Sequence, residues 1–482
     1  MAGAASVFEI RSTATAGNVN GGGFVPGASG TDYSQQNAAQ YALTGVTSGG
    51  AGNTILTASA AADMVGNWLC VISGTNLTLE NNSGIGRFEI VSVVAGVSIT
   101  CSTNYSGTAI STGIASNGVI NVGGAFSLGH ASDDGIFEIA STIGGHTFYI
   151  KNGSYTPGAT LNTGAAGTSQ LFNVMEGYAT TRGDRPSAST RPTLTLTAAL
   201  FTTGAAWHYR NIIFTSTSAT GVVSLGTAST LTECKVTNTG VGATAYAVAL
   251  GNDCLVSRCE IVNNAGYGIN GANGALIGNY IHDCLIGVRS TTTTQSLFIS
   301  RNIIESCTTS AISFTSSASG HCLIFMNTLY GAETPAGIGI DVAAGVTDLR
   351  IMNNIIYGFV TGLTHATAGQ TVGLENFNAY DNNTTDVTNF TLGSSSITTA
   401  ITFTNAAGGN FAPTSVNVMG TGYPGVNFPG GLTPASQTIG AVSAAADYPA
   451  ITDVEAGVTF AYATLTGTLV VGSETTSGSF SG

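Results

Sequence analysis

A short phrase returns seven times in the second half of the chain: a small polar residue, any residue, then an aliphatic one. It begins at Asn211, Cys234, Cys259, Asn279, Asn302, Asn327 and Asn354, at spacings of 23, 25, 20, 23, 25 and 27 residues. A period in this range means stacked units that bury a shared core, and it restricts the fold more than any catalytic motif could. An aliphatic stands three residues before six of these positions, at Leu231, Val256, Leu276, Ile299, Ile324 and Ile351. A small-then-aliphatic pair follows about ten residues later, as in Gly268-Ile269, Gly287-Val288 and Gly339-Ile340. Each unit thus holds about three short runs of period two, which is strand patterning, and no unit has room for a ten-residue helix.

Three short strands that restart in register about every 23 residues predict a coil of parallel strands, with successive coils about 4.8 Å apart. Equivalent residues then stack into ladders. An inward Asn at a bend can bond its own turn and the amide of the next coil, which satisfies a buried polar group. Cys234 and Cys259 stand in that ladder as small apolar fillers. Cys284 and Cys307 share another offset and are expected to stack too. The pattern resembles the right-handed parallel β-helix family, the fold of pectate lyase-like enzymes and many phage tailspikes, over roughly residues 140–385. It fixes fold and says almost nothing of activity. The expected class is all-β.

Three regions follow. Residues 1–125 read as an N-terminal attachment module, a small β barrel or sandwich with strands near 68–73, 87–94 and 97–103. Asp32 and Gln35 form a capping-box pattern that predicts a short helix to about Leu43. Residues 126–389 read as a capping helix, near 135–143, followed by the β-helix. Residues 390–482 read as β-rich and irregular. The opening stretch NGGGFVPGASGTDYSQQ and the segment 447–471 resemble parts of phage virion proteins that carry β-helices. This resemblance implies a virion surface protein, made in the host cytoplasm and docked to capsid or tail proteins through its first 125 residues.

Composition narrows the partners. Net charge is −13, with two lysines, Lys151 and Lys235, so nucleic acid and anionic membranes are disfavoured. No apolar run reaches 18 residues, so no membrane-inserted span is expected. Eight cysteines without paired spacing read as buried thiols. No cofactor or metal motif is present: the histidines lack ligand spacing, and the glycine clusters lie in turns.

Alternation places the residues one and three after each ladder position on the outer face. Ile212, Phe214, Ile303, Tyr330, Ile355 and Tyr357 make that face apolar, which marks an interface. The expectation is a homotrimer packed through this sheet. The rival explanations are a register shifted by one in some coils, or a C-terminal segment lying over the face.

For chemistry, His282, Asp283 and Glu305 are the best cluster, with Glu260 one coil earlier. A glycosidase needs two carboxylates about 5 to 9.5 Å apart across a groove, and the bland reading is a solvated charge cluster. No catalytic residue is assigned. Asp253 and Asp341 read as turn residues and His208 as an inward core histidine. Arg182-Gly183-Asp184 reads as a structural loop, not an adhesion motif. The leading function is a structural knob or spike, as capsid decoration or tailspike. The alternative is a tailspike enzyme that binds or degrades host polysaccharide.

Overall fold

The structure, a computed structural model, describes residues 5–128, 144–415 and 418, except 18, 81–84, 105, 158–160, 162, 164–170, 197–200, 272, 292–295, 316–320, 333, 347 and 368–373. The expected helix at 135–143 and the segment 447–471 lie outside these residues.

The body is a parallel β-solenoid built of three sheets of twelve, ten and nine strands. One coil runs through Trp207–Arg210, Ile213–Ser216 and Gly221–Ser224, one strand in each sheet. Every strand then pairs in parallel with its counterpart one coil on: Leu276 opposite Ile299, Ile299 opposite Ile324 and Ile324 opposite Ile351. These side chains point inward and are fully buried in one continuous core. Gly268 and Gly287, within strands of the nine-stranded sheet, let consecutive coils approach closely. A Cβ on Gly287 would meet the Ala311 carbonyl at 2.6 Å.

The corner after each strand of the twelve-stranded sheet decides the geometry. Asn211, Glu233, Arg258, Gly278, Arg301, Met326, Asn353 and Phe377 all have φ between 52° and 63° there. A left-handed turn costs a non-glycine residue about 1–2 kcal/mol. Immediately after it the chain places Asn279, Asn302, Asn327, Asn354 and Asn378, all inward and buried. Each of the first four donates its amide to the Oδ1 of the next at 2.9–3.0 Å. Each also donates to a carbonyl of the preceding coil, such as Asn327 Nδ2 to Ile299 O at 2.9 Å. The same Oδ1 accepts the backbone N–H of the residue above, as from Asn302 N to Asn327 Oδ1 at 2.9 Å. Cys259 heads this stack, its N–H donating to Asn279 Oδ1 at 3.0 Å. Cys234 and Cys259 are buried with their thiols in the core, and burial pushes Cys234 up to about 12. All eight cysteines are free and buried.

Asn211 departs from the expected ladder. Ile213 pairs with Lys235, so the residue level with Cys234 is Ile212, and Asn211 occupies the left-handed corner. Ile212 and Phe214 therefore point inward, fully buried, with Phe214 against Phe201. Asn is one of the few residues that tolerates either place, the ladder or the left-handed corner.

The N-terminal region is an antiparallel six-stranded sheet. Its order is Tyr41–Val46, Ser111–Val122, Trp68–Leu77, Arg87–Val94, Ser98–Cys101 and Thr54–Leu56. Reciprocal Thr47–Leu56 backbone bonds close it into a small barrel around Leu69, Val71, Phe88 and Ile120. No helix follows Asp32. Its Oδ1 accepts from Ser34 N at 2.9 Å and from the Ser34 hydroxyl, which makes a local turn before the strand at Tyr41.

Barrel and solenoid are joined through the chain's first strand. Val7–Ile10 pairs in parallel with residues 147–150 and forms the opening rung of the twelve-stranded sheet. Phe8 stacks on Phe148 at 4.9 Å and meets Trp68 of the barrel at 5.2 Å. Glu9, its carboxylate fully buried, accepts from Arg11 and Arg182 at 2.8 Å each and from the Tyr178 hydroxyl. Arg182 also reaches Asp32 Oδ2 at 2.9 Å and Ser34 Oγ at 2.6 Å.

The outer face of the ten-stranded sheet is covered by the chain itself. Ile303 and Ile355 are fully buried, and Tyr330 and Tyr357 nearly so, in a cluster with Ile401, Phe411 and Val418. Ile397 pairs beside Ala379, and Ile401 N–H donates to Asp381 Oδ2 at 2.8 Å. These two contacts turn residues 397–415, with Val418, back over the rungs from Ile303 to Ala379. Of the six residues expected at an oligomer interface, two are in the core and four lie under this strap.

Candidate functional site

The polar cluster sits on the same face, next to the strap. Four adjacent rungs carry it: Lys235–Asn238, Glu260–Asn263, Tyr280–His282 and Ile303–Glu305. Alternation points Lys235, Glu260, Tyr280, His282 and Glu305 outward, and the parallel register brings them together. Lys235 Nζ lies 2.7 Å from Glu260 Oε1, and His282 Nε2 lies 3.4 Å from the same oxygen. His282 Nδ1 meets Asp283 Oδ2 at 2.8 Å, and the Tyr280 hydroxyl donates to Glu305 Oε1. The Tyr280 and His282 rings stack at 4.2 Å and 21°.

These contacts set the ionisation. Burial pushes the Glu260 carboxyl up, but the hydrogen bonds from His282 and Lys235 outweigh it and hold Glu260 below its ordinary value. Burial pulls His282 down, yet Glu260 and Asp283 together raise it. Burial raises Glu305 above the usual carboxylate range, against the Tyr280 hydrogen bond. Burial and Glu305 raise Tyr280 strongly.

Two carboxyls shifted in opposite directions are what an acid/base pair requires. The space between them decides against that use. Glu260 and Glu305 lie two coils apart, about 10 Å along the axis, beyond the separation of a glycosidase pair, and the intervening rung carries Tyr280 and His282, whose rings stack on each other. The cluster is a closed network of charge and hydrogen bonds. The sequence brings His282, Asp283, Glu305 and Glu260 together; it gave no sign of the Tyr280–Glu305 bond, although the matching offsets of Tyr280 and Ile303 on adjacent coils place that tyrosine beside the next rung.

Other candidates resolve individually. His208 faces outward, with its ring 4.2 Å from Phe172, because Trp207 and Tyr209 on either side take the inward places. Asp184 accepts the backbone N–H groups of Ala179, Thr180 and Thr181 at 2.7–3.0 Å, so it shapes a turn. Asp341 lies within the strand Ile338–Val342 of the nine-stranded sheet, not in a turn, and burial raises its carboxyl. Asp253 occupies a left-handed position at φ 57°. Among the described residues no three His, Cys, Asp or Glu side chains converge as a metal site.

With parallel rungs, inward ladders and left-handed corners established, comparison with known proteins is direct. The right-handed β-helix region family matches residues 198–356. The body of this chain is a right-handed parallel β-helix. Among solved structures, pectate lyase Pel9A is similar at 11% identity and a TM-score of 0.46, over 63% of this chain and 89% of that one. The Dettilon tailspike protein is similar at 15% identity and a TM-score of 0.35, over 50% of this chain and 56% of that one. A mannuronic acid specific family 6 polysaccharide lyase from human gut microbiota is similar at 14% identity and a TM-score of 0.36, over 51% of this chain and 70% of that one. At these values the likeness is one of fold alone. None of the curated proteins compared matches this β-helix chain.

Proposed function

We propose that this β-helix protein is a structural component of a bacteriophage surface, a stiff knob or spike that assembles as a homotrimer and docks on capsid or tail proteins through its N-terminal barrel. The observation that carries the reading is the junction. Arg182, from the solenoid, bonds Glu9 in the first rung and Asp32 in the barrel at once, at 2.8 and 2.9 Å. A barrel built to hold a particle would thus pass force directly into a rod of stacked coils. The resemblance of the opening residues to phage virion proteins supports the setting. The test is reconstitution. Particles lacking the protein are mixed with the full chain, or with a chain whose barrel surface carries charge substitutions at exposed Val91 and Ile114. Binding by the full chain and loss of binding by the variant support the docking role; binding by neither refutes it.

A polysaccharide-degrading enzyme is the second reading; two outward carboxyls on one face, Glu260 and Glu305, favour it, and the Tyr280–His282 rung between them weighs against it. Release of reducing or unsaturated ends from a bacterial surface polysaccharide, abolished by Glu305→Gln, would establish it in place of the structural role.

A further inference from the structure

The three long faces of the solenoid differ in what covers them. The rungs of the ten-stranded face from Ile303 to Ala379 lie under residues 397–415 and Val418 of the same chain. The nine-stranded face presents Asn270, Arg289, Ser313, Asp341 and Thr364 on successive rungs, a polar surface. The twelve-stranded face presents Leu255, Ala275, Phe298 and Leu323 on four successive rungs. In the next outward column it carries Ile277, Phe325 and Met352. All of these are partly exposed, and none belongs to a buried apolar cluster of described residues. Leu255, Ala275, Ile277, Phe298 and Leu323 line a shallow depression of about 630 Å³ between Asp253 and His321.

We infer that this face is where a second copy of the chain docks. Three observations choose the partner. The side chains recur at the rung spacing of about 4.8 Å, and the same face of another copy repeats at that period, so the two surfaces match rung for rung. Ten parallel strands, from Thr147–Lys151 to Leu374–Asn376, make a face about 50 Å by about 14 Å. That is about 700 Å², near the roughly 800 Å² that each partner gives to a stable interface. Its apolar centre with polar ends has the anatomy of such an interface. The chain carries a net charge of −13, which repels a copy of itself. Yet on this face and at the corner that follows it charge is locally balanced: Arg210 pairs with Glu176, Arg258 with Glu233 and Arg350 with Asp348, and Lys151 and Arg301 add two further basic residues.

The inference rests on the self-association proposed above and assigns it a face. Its test is the solution mass of the full chain by light scattering, beside Phe298→Glu, Leu323→Glu and the polar-face control Thr364→Glu, each with a thermal melt by circular dichroism. The expected result is a multiple of 48.3 kDa for the parent and the control, and a fall to one chain for the two apolar-face variants with the melt retained. A multimer that survives both variants overturns the assigned face and leaves self-association standing. A parent that runs as a single chain overturns both. If the glutamate variants fail to fold, Ala275→Cys replaces them. Since the eight native thiols are buried, a bis-maleimide reacts at the new thiol. Covalent dimers support the face. A thiol that labels freely without cross-linking, or that is protected in a single chain, overturns it.

Discussion

Asn327 lies in the middle of the asparagine ladder, and its removal has a calculable cost. Its amide donates to Ile299 O and Asn354 Oδ1, each at 2.9 Å. Its Oδ1 accepts from Asn302 N at 2.9 Å and Asn302 Nδ2 at 3.0 Å. Asn327→Ala leaves those two donors with no acceptor in a site without solvent contact, and removes a donor from the Ile299 carbonyl. A buried donor left unsatisfied costs about 1–3 kcal/mol, so two cost about 4 kcal/mol. Asn327→Cys should lose less, about 3 kcal/mol. The precedent is Cys259, whose thiol donates to Leu231 O at 3.4 Å and Ser257 O at 3.3 Å and so restores a partner for the carbonyl. A solenoid of this length opens in parts, so the assay is amide exchange at Asn302 and Asn279 beside urea unfolding. About 4 kcal/mol corresponds to about a thousandfold faster exchange at Asn302. A loss below about 1 kcal/mol, comparable to a single exposed hydrogen bond, with unchanged Asn302 exchange would refute the claim that the ladder holds the coils together.

Other consequences are equally direct. Arg301→Gly, at φ 58°, relieves a left-handed non-glycine turn and should raise the urea midpoint by the equivalent of about 0.5–1 kcal/mol; a fall would show that this corner is not strained. Glu9→Ala leaves Arg11 and Arg182 facing each other without their carboxylate, and should cost about 3–5 kcal/mol and loosen the barrel from the solenoid, read as faster proteolysis after Arg182. The His282 network should stabilise within a window. His282 is raised in the folded state, so its contribution is full below its unfolded value and is lost as pH rises through the folded one. Glu260 is lowered, so its contribution is present above its unfolded value and is lost as pH falls. Melting temperature against pH should therefore decline on the alkaline side in the parent and stay flat there in His282→Gln; matching slopes would show that His282 is not coupled to folding. Phe411→Ser should free the strap and expose Tyr330 and Tyr357 to quenchers; no change in tyrosine quenching would contradict its role as a cover.

The solenoid was legible because its ladder is written in residue identity: Asn302, Asn327 and Asn354 recur with aliphatics at fixed offsets, and stacking demands that sameness. Asn211 misled because Asn suits both the ladder and the left-handed corner, and Asn353-Asn354 fills both at once. The W-H-Y-R alternation at Trp207–Arg210 held enough to turn His208 outward, since two flanking aromatics need the core. The strap was legible only as a rival to the oligomer interface, a C-terminal segment lying over the face, and it is that rival which holds for Ile303, Tyr330, Ile355 and Tyr357. Ile303, Ile355, Tyr330 and Tyr357 read as apolar and outward, which is where they stand, but no local signal says that Ile401 and Phe411 return to meet them. The polar cluster was half legible: rung spacing unites His282 with Glu260, while the stacked rings that close it depend on side-chain rotamers.

A stack of parallel strands presents open hydrogen-bonding edges above and below, and such edges invite unlimited addition of further chains. Here the upper edge is taken by Gly23–Phe24, which pairs antiparallel with the first rung. At the lower end Glu375 accepts the final ladder amide from Asn378 at 2.7 Å, and Ile397 adds a closing bridge to Ala379. The molecule's own chain thus occupies the upper edge of the twelve-stranded sheet and the lower edge of the ten-stranded sheet, and limits growth there. A chain cut before residue 390 would keep its coils and lose that stop, and should elongate end to end into fibres.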